Sequence, residues 1–200
     1  MYRYLIFLVL LLTGCASVIK PNVIDNKLVY ITDGVPFRLS MPPATWQNRF
    51  LLQHLQTQVN GEKKQLLFNV EMQADGISMV GLSTSGLELF SLVMSETQDR
   101  IQVSQLPLIE LDPKYVLADF QLAFWPVELL RKELPSLTIE VEKSEGSLVR
   151  VFSLKQLKLI TITYSPNEKY VDDKYGYNLF FEHHIRNYQL SITTLEQGEI

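Results

Sequence analysis

The sequence predicts an α+β domain dominated by antiparallel strands, and three observations carry that prediction. Apolar residues recur at every second position through much of the chain, the mark of half-buried strands. Short turn signals containing Gly, Asn, Asp or Ser separate these runs. The pattern breaks once, near the middle, into two short segments of helical spacing bounded by prolines. Runs of strands with helices inserted midway belong to the α+β class rather than to alternating α/β folds.

The elements follow in order. Leu28 to Leu39 reads as a short extended lead-in, and Met41-Pro42-Pro43 breaks any helix behind it. Phe50 to Val59 leads into Asn60-Gly61, a dipeptide whose tolerance of positive φ suits a tight hairpin turn. In the next strand Leu66, Phe68, Val70, Met72 and Ala74 share one face, with Asn69, Glu71 and Gln73 on the other. Asp75-Gly76 supplies a second hairpin signal before a strand over Ile77 to Leu82. The turn Ser83-Thr84-Ser85-Gly86, a strand over Leu87 to Met94, and a further one around Ile101 and Val103 extend the meander.

Asp112-Pro113 then starts a helix, with Asp as cap and Pro at the first position, and Val116, Leu117, Phe120 and Phe124 follow at helical spacing. Trp125 precedes Pro126 and is held extended, so a corner separates this helix from a second over about Pro126 to Leu134, which Pro135 ends. Strands resume at Leu137 to Val141, Leu148 to Phe152 and Leu157 to Tyr164. A polar loop from Pro166 to Lys174 precedes Tyr177 to His183, and Tyr188 to Leu195 closes the chain. The total is about nine to eleven strands.

The N-terminus has a different character. Arg3 opens a short basic start, Leu5 to Leu12 is an unbroken apolar run, and Leu12-Thr13-Gly14-Cys15 ends it. A bilayer span needs about 20 apolar residues, so residues 1–14 read as a cleaved signal rather than a membrane helix. The small residues before the only cysteine of the chain resemble a bacterial lipobox. That resemblance implies cleavage before Cys15 and lipidation of its thiol, an alternative being an ordinary secretory signal with an incidental cysteine. Two or more acyl chains, at about 0.8 kcal/mol per buried methylene, anchor a protein stably. Residues 15–27, with no clear period from Ala16 to about Asn26, read as a lipidated tether, and 28–200 as one domain.

Composition excludes several functions. A formal net charge of −4 without a basic cluster argues against nucleic acid as a partner. One cysteine allows no intrachain disulfide, so a core drawn from 46% hydrophobic residues must hold the fold. Glu182-His183-His184 looks like a metal cluster, but strand alternation lets only Glu182 and His184 share a face, and nothing brings His54 near them. No paired Cys or His spacing signals zinc, and no glycine loop signals a phosphate cofactor. Ser83-Thr84-Ser85-Gly86 lacks the first glycine of a nucleophile elbow, and Asp172-Asp173 reads as a solvated loop. The residues argue against an enzyme, and no metal or cofactor is expected.

What the chain offers is apolar surface. Phe68, Val70 and Met72, with Met79, Phe90, Leu92 and Met94 on neighbouring strands, form a stripe wide enough either to pack as a core or to line a ligand cavity. Periodicity does not separate those two readings.

Asp119-Phe120-Gln121-Leu122, Phe124-Trp125-Pro126, Leu134-Pro135 and Asn187-Tyr188-Gln189-Leu190-Ser191-Ile192, in this order behind a lipobox-like start, resemble the LolB-like outer-membrane lipoproteins. More closely the chain is similar to an uncharacterised lipoprotein family often encoded with aryl polyene biosynthesis genes. The resemblance implies an incomplete antiparallel barrel around a short helical lid, with an apolar hollow that accepts acyl chains and is faced by Phe124 and Trp125; Phe120, on the same helix, is a further cavity candidate. In the LolB-like receptors a hairpin tip carries an exposed leucine that helps deliver cargo. The corresponding turn here is Ser83-Thr84-Ser85-Gly86, with Ser85 in the leucine's place, which favours a related carrier with different cargo. Ala16 after Cys15, rather than Asp, implies sorting to the outer membrane, facing the periplasm.

The expected function is therefore binding of a hydrophobic acyl-bearing ligand, with delivery of a lipid, plausibly an aryl polyene lipid, or of a lipoprotein to the outer membrane. Expected partners are the membrane through Cys15, the lipid itself and a periplasmic carrier protein. Two alternatives stay open: a scaffolding lipoprotein with a solid core, and a periplasmic hydrolase using His183 or His184.

Overall fold

The computed structural model of the chain describes residues 22–24, 27–59, 62–98, 100–106, 112–144, 146–167, 169 and 177–200. Cys15 with its signal, the Asn60-Gly61 turn and Asp172-Asp173 lie outside the described residues.

Thirteen strands and two α-helices occur among the described residues. The strands are β1 (Asn22–Ile24), β2 (Leu28–Thr32), β3 (Val35–Arg38), β4 (Arg49–Val59), β5 (Glu62–Gln73), β6 (Gly76–Leu82), β7 (Glu88–Ser95) and β8 (Ile101–Gln105). After the helices α1 (Pro113–Phe124) and α2 (Val127–Glu133) come β9 (Thr138–Ser144), β10 (Ser147–Leu154), β11 (Leu157–Pro166), β12 (Tyr177–His183) and β13 (Tyr188–Glu199).

Eleven strands form one sheet in the order β1-β8-β7-β6-β5-β4-β13-β12-β11-β10-β9, and every neighbouring pair is antiparallel. The outer strands β1 and β9 do not pair with each other, so the sheet is an incomplete barrel, as expected. Two meanders meet where β13 pairs with β4, and the helical segment connects β8, beside one edge, to β9 at the other.

Three local findings differ from the sequence reading. The lead-in is not one extended run: Asp33-Gly34, with Gly34 at φ +74°, folds it into the separate β2–β3 hairpin, whose Val29, Ile31, Val35 and Phe37 are buried. The predicted tether is not wholly irregular either, since Asn22–Ile24 pairs with Ile101–Val103. The β5–β6 loop is Ala74-Asp75, because Gln73 pairs with Gly76, and Ala74 is therefore an exposed turn residue rather than the end of the apolar face. A Cβ at Gly76 would meet the Met94 carbonyl at 2.9 Å, so close backbone approach from β7 requires the glycine there.

The helices form where the sequence places them. Asp112 caps α1 by accepting from the Lys114 N–H at 3.0 Å, with Pro113 at the first position. Its C-terminus is held by a buried cation: the Arg150 guanidinium on β10 donates through Nη1 to the carbonyls of Leu122 (2.7 Å), Ala123 (3.2 Å) and Trp125 (3.1 Å). These are the carbonyls a helix end leaves without partners, and positive charge there complements the helix dipole. The Tyr164 hydroxyl adds a donor to Ala123 O at 2.7 Å. On its other side α1 is tied to the loop after β3, where the Gln121 amide exchanges hydrogen bonds with the backbone of Ser40 (3.0 and 2.8 Å) and Trp125 Nε1 donates to Ser40 Oγ (3.0 Å). The C-terminal end of the lid is thus fixed from two sides.

Candidate functional site

A cavity of about 900 Å³ lies between α1 and the sheet. That volume sits within the range of about 300–1,000 Å³ typical of ligand pockets. Its walls follow from two periods. Asp112, Tyr115, Val116, Asp119, Phe120 and Phe124 line it from α1 at the spacing of one helical face. Gln53, Leu55 and Thr57 on β4, Leu66 and Phe68 on β5, and Tyr188, Leu190 and Ile192 on β13 line it from alternate strand positions, with Met79 from β6.

The structure divides the residues expected to face a hollow. Phe68, Met79, Phe120 and Phe124 line the cavity. Val70, Met72, Phe90, Leu92 and Trp125 do not; each is 0–1% exposed and packed inside. Val70, Met72 and Leu92 share one hydrophobic cluster with the β2–β3 hairpin residues Val29, Ile31, Val35 and Phe37. Phe90 supports the cavity from behind, edge-on to Phe68 at 5.4 Å between ring centres. Its ring occupies the space a Cβ on Gly81 would need, 2.4 Å away, so glycine is required there. Trp125 packs against Trp46 and Phe120 while its indole N–H reaches Ser40, which turns it away from the cavity.

One end of the cavity is polar. Tyr188 donates its hydroxyl to Asp119 Oδ2 at 2.5 Å, and the Tyr188 ring stacks on Phe181 with 6.1 Å between centres. Arg186, in the β12–β13 turn, lies 3.7 Å over the Tyr115 ring and donates through Nη2 to the Tyr30 carbonyl. Its backbone N–H donates to His183 Nδ1 at 3.3 Å. Burial pushes the Asp119 carboxyl up from 3.8 to about 7, although the Tyr188 hydrogen bond and the Arg186 charge pull the other way. Burial likewise lowers His183 from 6.5 to about 4, helped by Arg186 and His184, so its imidazole is neutral at pH 7. Tyr188 is raised by burial and by the Asp119 charge and stays protonated.

Glu182, His183 and His184 all line this end, contrary to the alternation argument. The strand stops at His183, and His184 begins the turn, where alternate sidedness no longer applies. His184 Nε2 is 2.8 Å from Thr161 Oγ1, and Glu182 accepts from Gln189 at 3.1 Å. Among the described residues no three His, Cys, Asp or Glu side chains gather as a metal site. His54, paired across the sheet with Thr193 and Leu67, is not among the lining residues. The Ser83 hydroxyl is used within its own turn, meeting Ser85 Oγ at 2.8 Å and accepting from the Leu87 N–H at 3.0 Å. Leu87 at the foot of that turn is 59% exposed.

The polar end was not assigned a role from the sequence. Its signal was present: an acid, Asp119, four residues after Tyr115 and one before Phe120, on the stripe of α1 that otherwise reads as apolar.

A family model described as a protein of unknown function, DUF3261, matches residues 51–196. Among curated proteins none matches. Among solved structures, a crystal structure described as that of a candidate outer membrane lipoprotein-sorting protein domain from Vibrio parahaemolyticus superposes with a TM-score of 0.40. The superposition covers 77% of this chain and 86% of that one at 10% identity, too loose a likeness to rest function on. No helix among the described residues is long and apolar enough to cross a membrane.

Proposed function

The chain belongs to the DUF3261 family, and from its cavity we propose that it is a lipid-anchored, non-enzymatic carrier that takes an acyl chain between α1 and the sheet. The observation that supports this reading is the cavity itself, roofed by Phe120 and Phe124 and floored by Leu55, Leu66, Phe68 and Met79. Moving an acyl chain through water requires hiding it, and each buried methylene contributes about 0.8 kcal/mol. The anchor is Cys15, and the periplasmic face of the outer membrane is the proposed location. Delivery of a lipid, plausibly an aryl polyene lipid, or of a lipoprotein, with hand-over from a periplasmic carrier, completes the reading. The turns β6–β7, β10–β11 and β12–β13 lie at one end of the sheet and expose Leu87, Leu157 and Ile185, which supports contact with a membrane at that end.

The test is binding of a fluorescent monoacylglycerol to the full chain held in a steroid-type detergent. Phe68→Glu and Met79→Trp should abolish binding in protein that still unfolds cooperatively, whereas Val93→Glu, at an exposed position on β7, should not matter. A parent protein that binds no acyl probe would favour a scaffolding lipoprotein instead.

A further inference from the structure

The cavity's polar end has a charge balance that bears on which lipid fits. Its lining carboxyls are Asp112, Asp119 and Glu182; its one lining arginine is Arg186. Two of the carboxyls already have partners, Asp112 in its cap and near Lys114 (3.9 Å) and Glu182 with Gln189. Asp119 differs: the Tyr188 hydroxyl bonds its Oδ2, and among the described residues Oδ1 has no hydrogen-bond partner. A carboxyl in the cavity wall beside Phe120, with an unused acceptor oxygen, calls for a donor from the occupant. The cation has its face on Tyr115 and Nη2 on the Tyr30 carbonyl, and its charge acts on the Asp119 carboxyl itself. His183 is occupied as an acceptor by the Arg186 N–H and, being neutral, adds no positive charge. Anion recognition uses guanidinium forks or converging N–H donors, whereas here three lining carboxyls face a single guanidinium.

Resting on the acyl-carrier reading above, we propose that Asp119 and Tyr188 form a head-group subsite selecting an acyl ligand whose polar end is a hydrogen-bond donor, uncharged or cationic, and rejecting one that ends in a phosphate. The hydroxyl, amide or ammonium of such a ligand donates to Asp119 Oδ1 while its chain lies against Phe68, Phe120 and Phe124. Tyr188 fixes the carboxyl from the opposite side, and Arg186 sets the turn that closes this end.

The experiment uses the full chain in a steroid-type detergent and three probes of one chain length, a monoacylglycerol, an alkylammonium and an alkyl phosphate, each displacing a fluorescent monoacylglycerol at about pH 8. The monoacylglycerol and the alkylammonium should bind about tenfold or more tightly than the alkyl phosphate, a difference of about 1.4 kcal/mol per decade. Asp119→Asn should lose the preference for alkylammonium over phosphate and retain the monoacylglycerol, since an amide oxygen still accepts. Equal binding of all three probes, or a preference unchanged in Asp119→Asn, overturns the head-group assignment while the carrier reading stands. Failure of the fluorescent monoacylglycerol to bind at all overturns both.

Discussion

Replacing Asp119 by Asn should stabilise the protein at neutral and alkaline pH. In the fold the carboxyl titrates at about 7 rather than 3.8, so between those values the folded chain holds a proton that the unfolded chain has released. Its contribution is therefore most favourable near pH 4 and declines as pH rises to about 7, beyond which the full penalty of a buried carboxylate persists. About three decades at about 1.36 kcal/mol each set an upper bound of about 4 kcal/mol. Solvent reaching the cavity and the cost of burying an amide reduce the expected gain to about 2 kcal/mol. Asn keeps an acceptor for the Tyr188 hydroxyl, so that hydrogen bond is not the source of any difference. In thermal unfolding followed by circular dichroism, about 2 kcal/mol corresponds to a rise of about 4–8 °C for a chain of this size. The rise should be seen at about pH 8 and vanish near pH 4. A variant less stable than the parent at pH 8 would refute the reasoning and show that attraction to Arg186 outweighs desolvation.

His183 should act in the opposite sense: its folded value of about 4 lies below the ordinary 6.5, so its contribution is complete above pH 6.5 and is lost as pH falls through 4. His183→Gln should remove up to about 3 kcal/mol of that acid-side loss, measured by urea unfolding across the same range. Arg150→Met should cost about 3 kcal/mol or more, because three carbonyls at the end of α1 lose their shared donor in a dry site; a melting temperature unchanged from the parent would remove Arg150 from the lid's support. Gly81→Ala should push Phe90 against Phe68, cost about 1–3 kcal/mol in overpacking, and weaken acyl-probe binding more than it weakens the fold. Trp125→Phe should cost about 1 kcal/mol through the lost bond to Ser40 and leave probe binding intact, since the indole lies off the cavity.

Much of the fold was legible because two periods were clean. The faces of β5, β6 and β7, the cap at Asp112, the Pro-bounded corner at Trp125 and the incomplete antiparallel barrel all follow from spacing, turn chemistry or family resemblance. The cavity was legible only in part, because alternation identifies an inward face but not what covers it. Phe68 and Val70 point the same way from β5, yet only Phe68 meets open space, while Val70 joins the cluster built by the β2–β3 hairpin. That hairpin was hidden by reading Leu28 to Leu39 as one run and passing over Asp33-Gly34. Trp125 was misplaced because its position next to Pro126 fixes the backbone but not the direction in which the indole finds its partner. The polar end depends on β12, β13 and α1 meeting across 69 positions of sequence, as Asp119 and Tyr188 do, and no local pattern encodes such a meeting.

Native mass spectrometry of the full chain extracted from Gram-negative membranes, beside Phe68→Glu, tests the central claim most directly. The account predicts a lipid-sized adduct, beyond the mass of the acyl anchor proposed on Cys15, on the parent and its loss from the variant. A parent of clean mass that takes up no added lipid would contradict it.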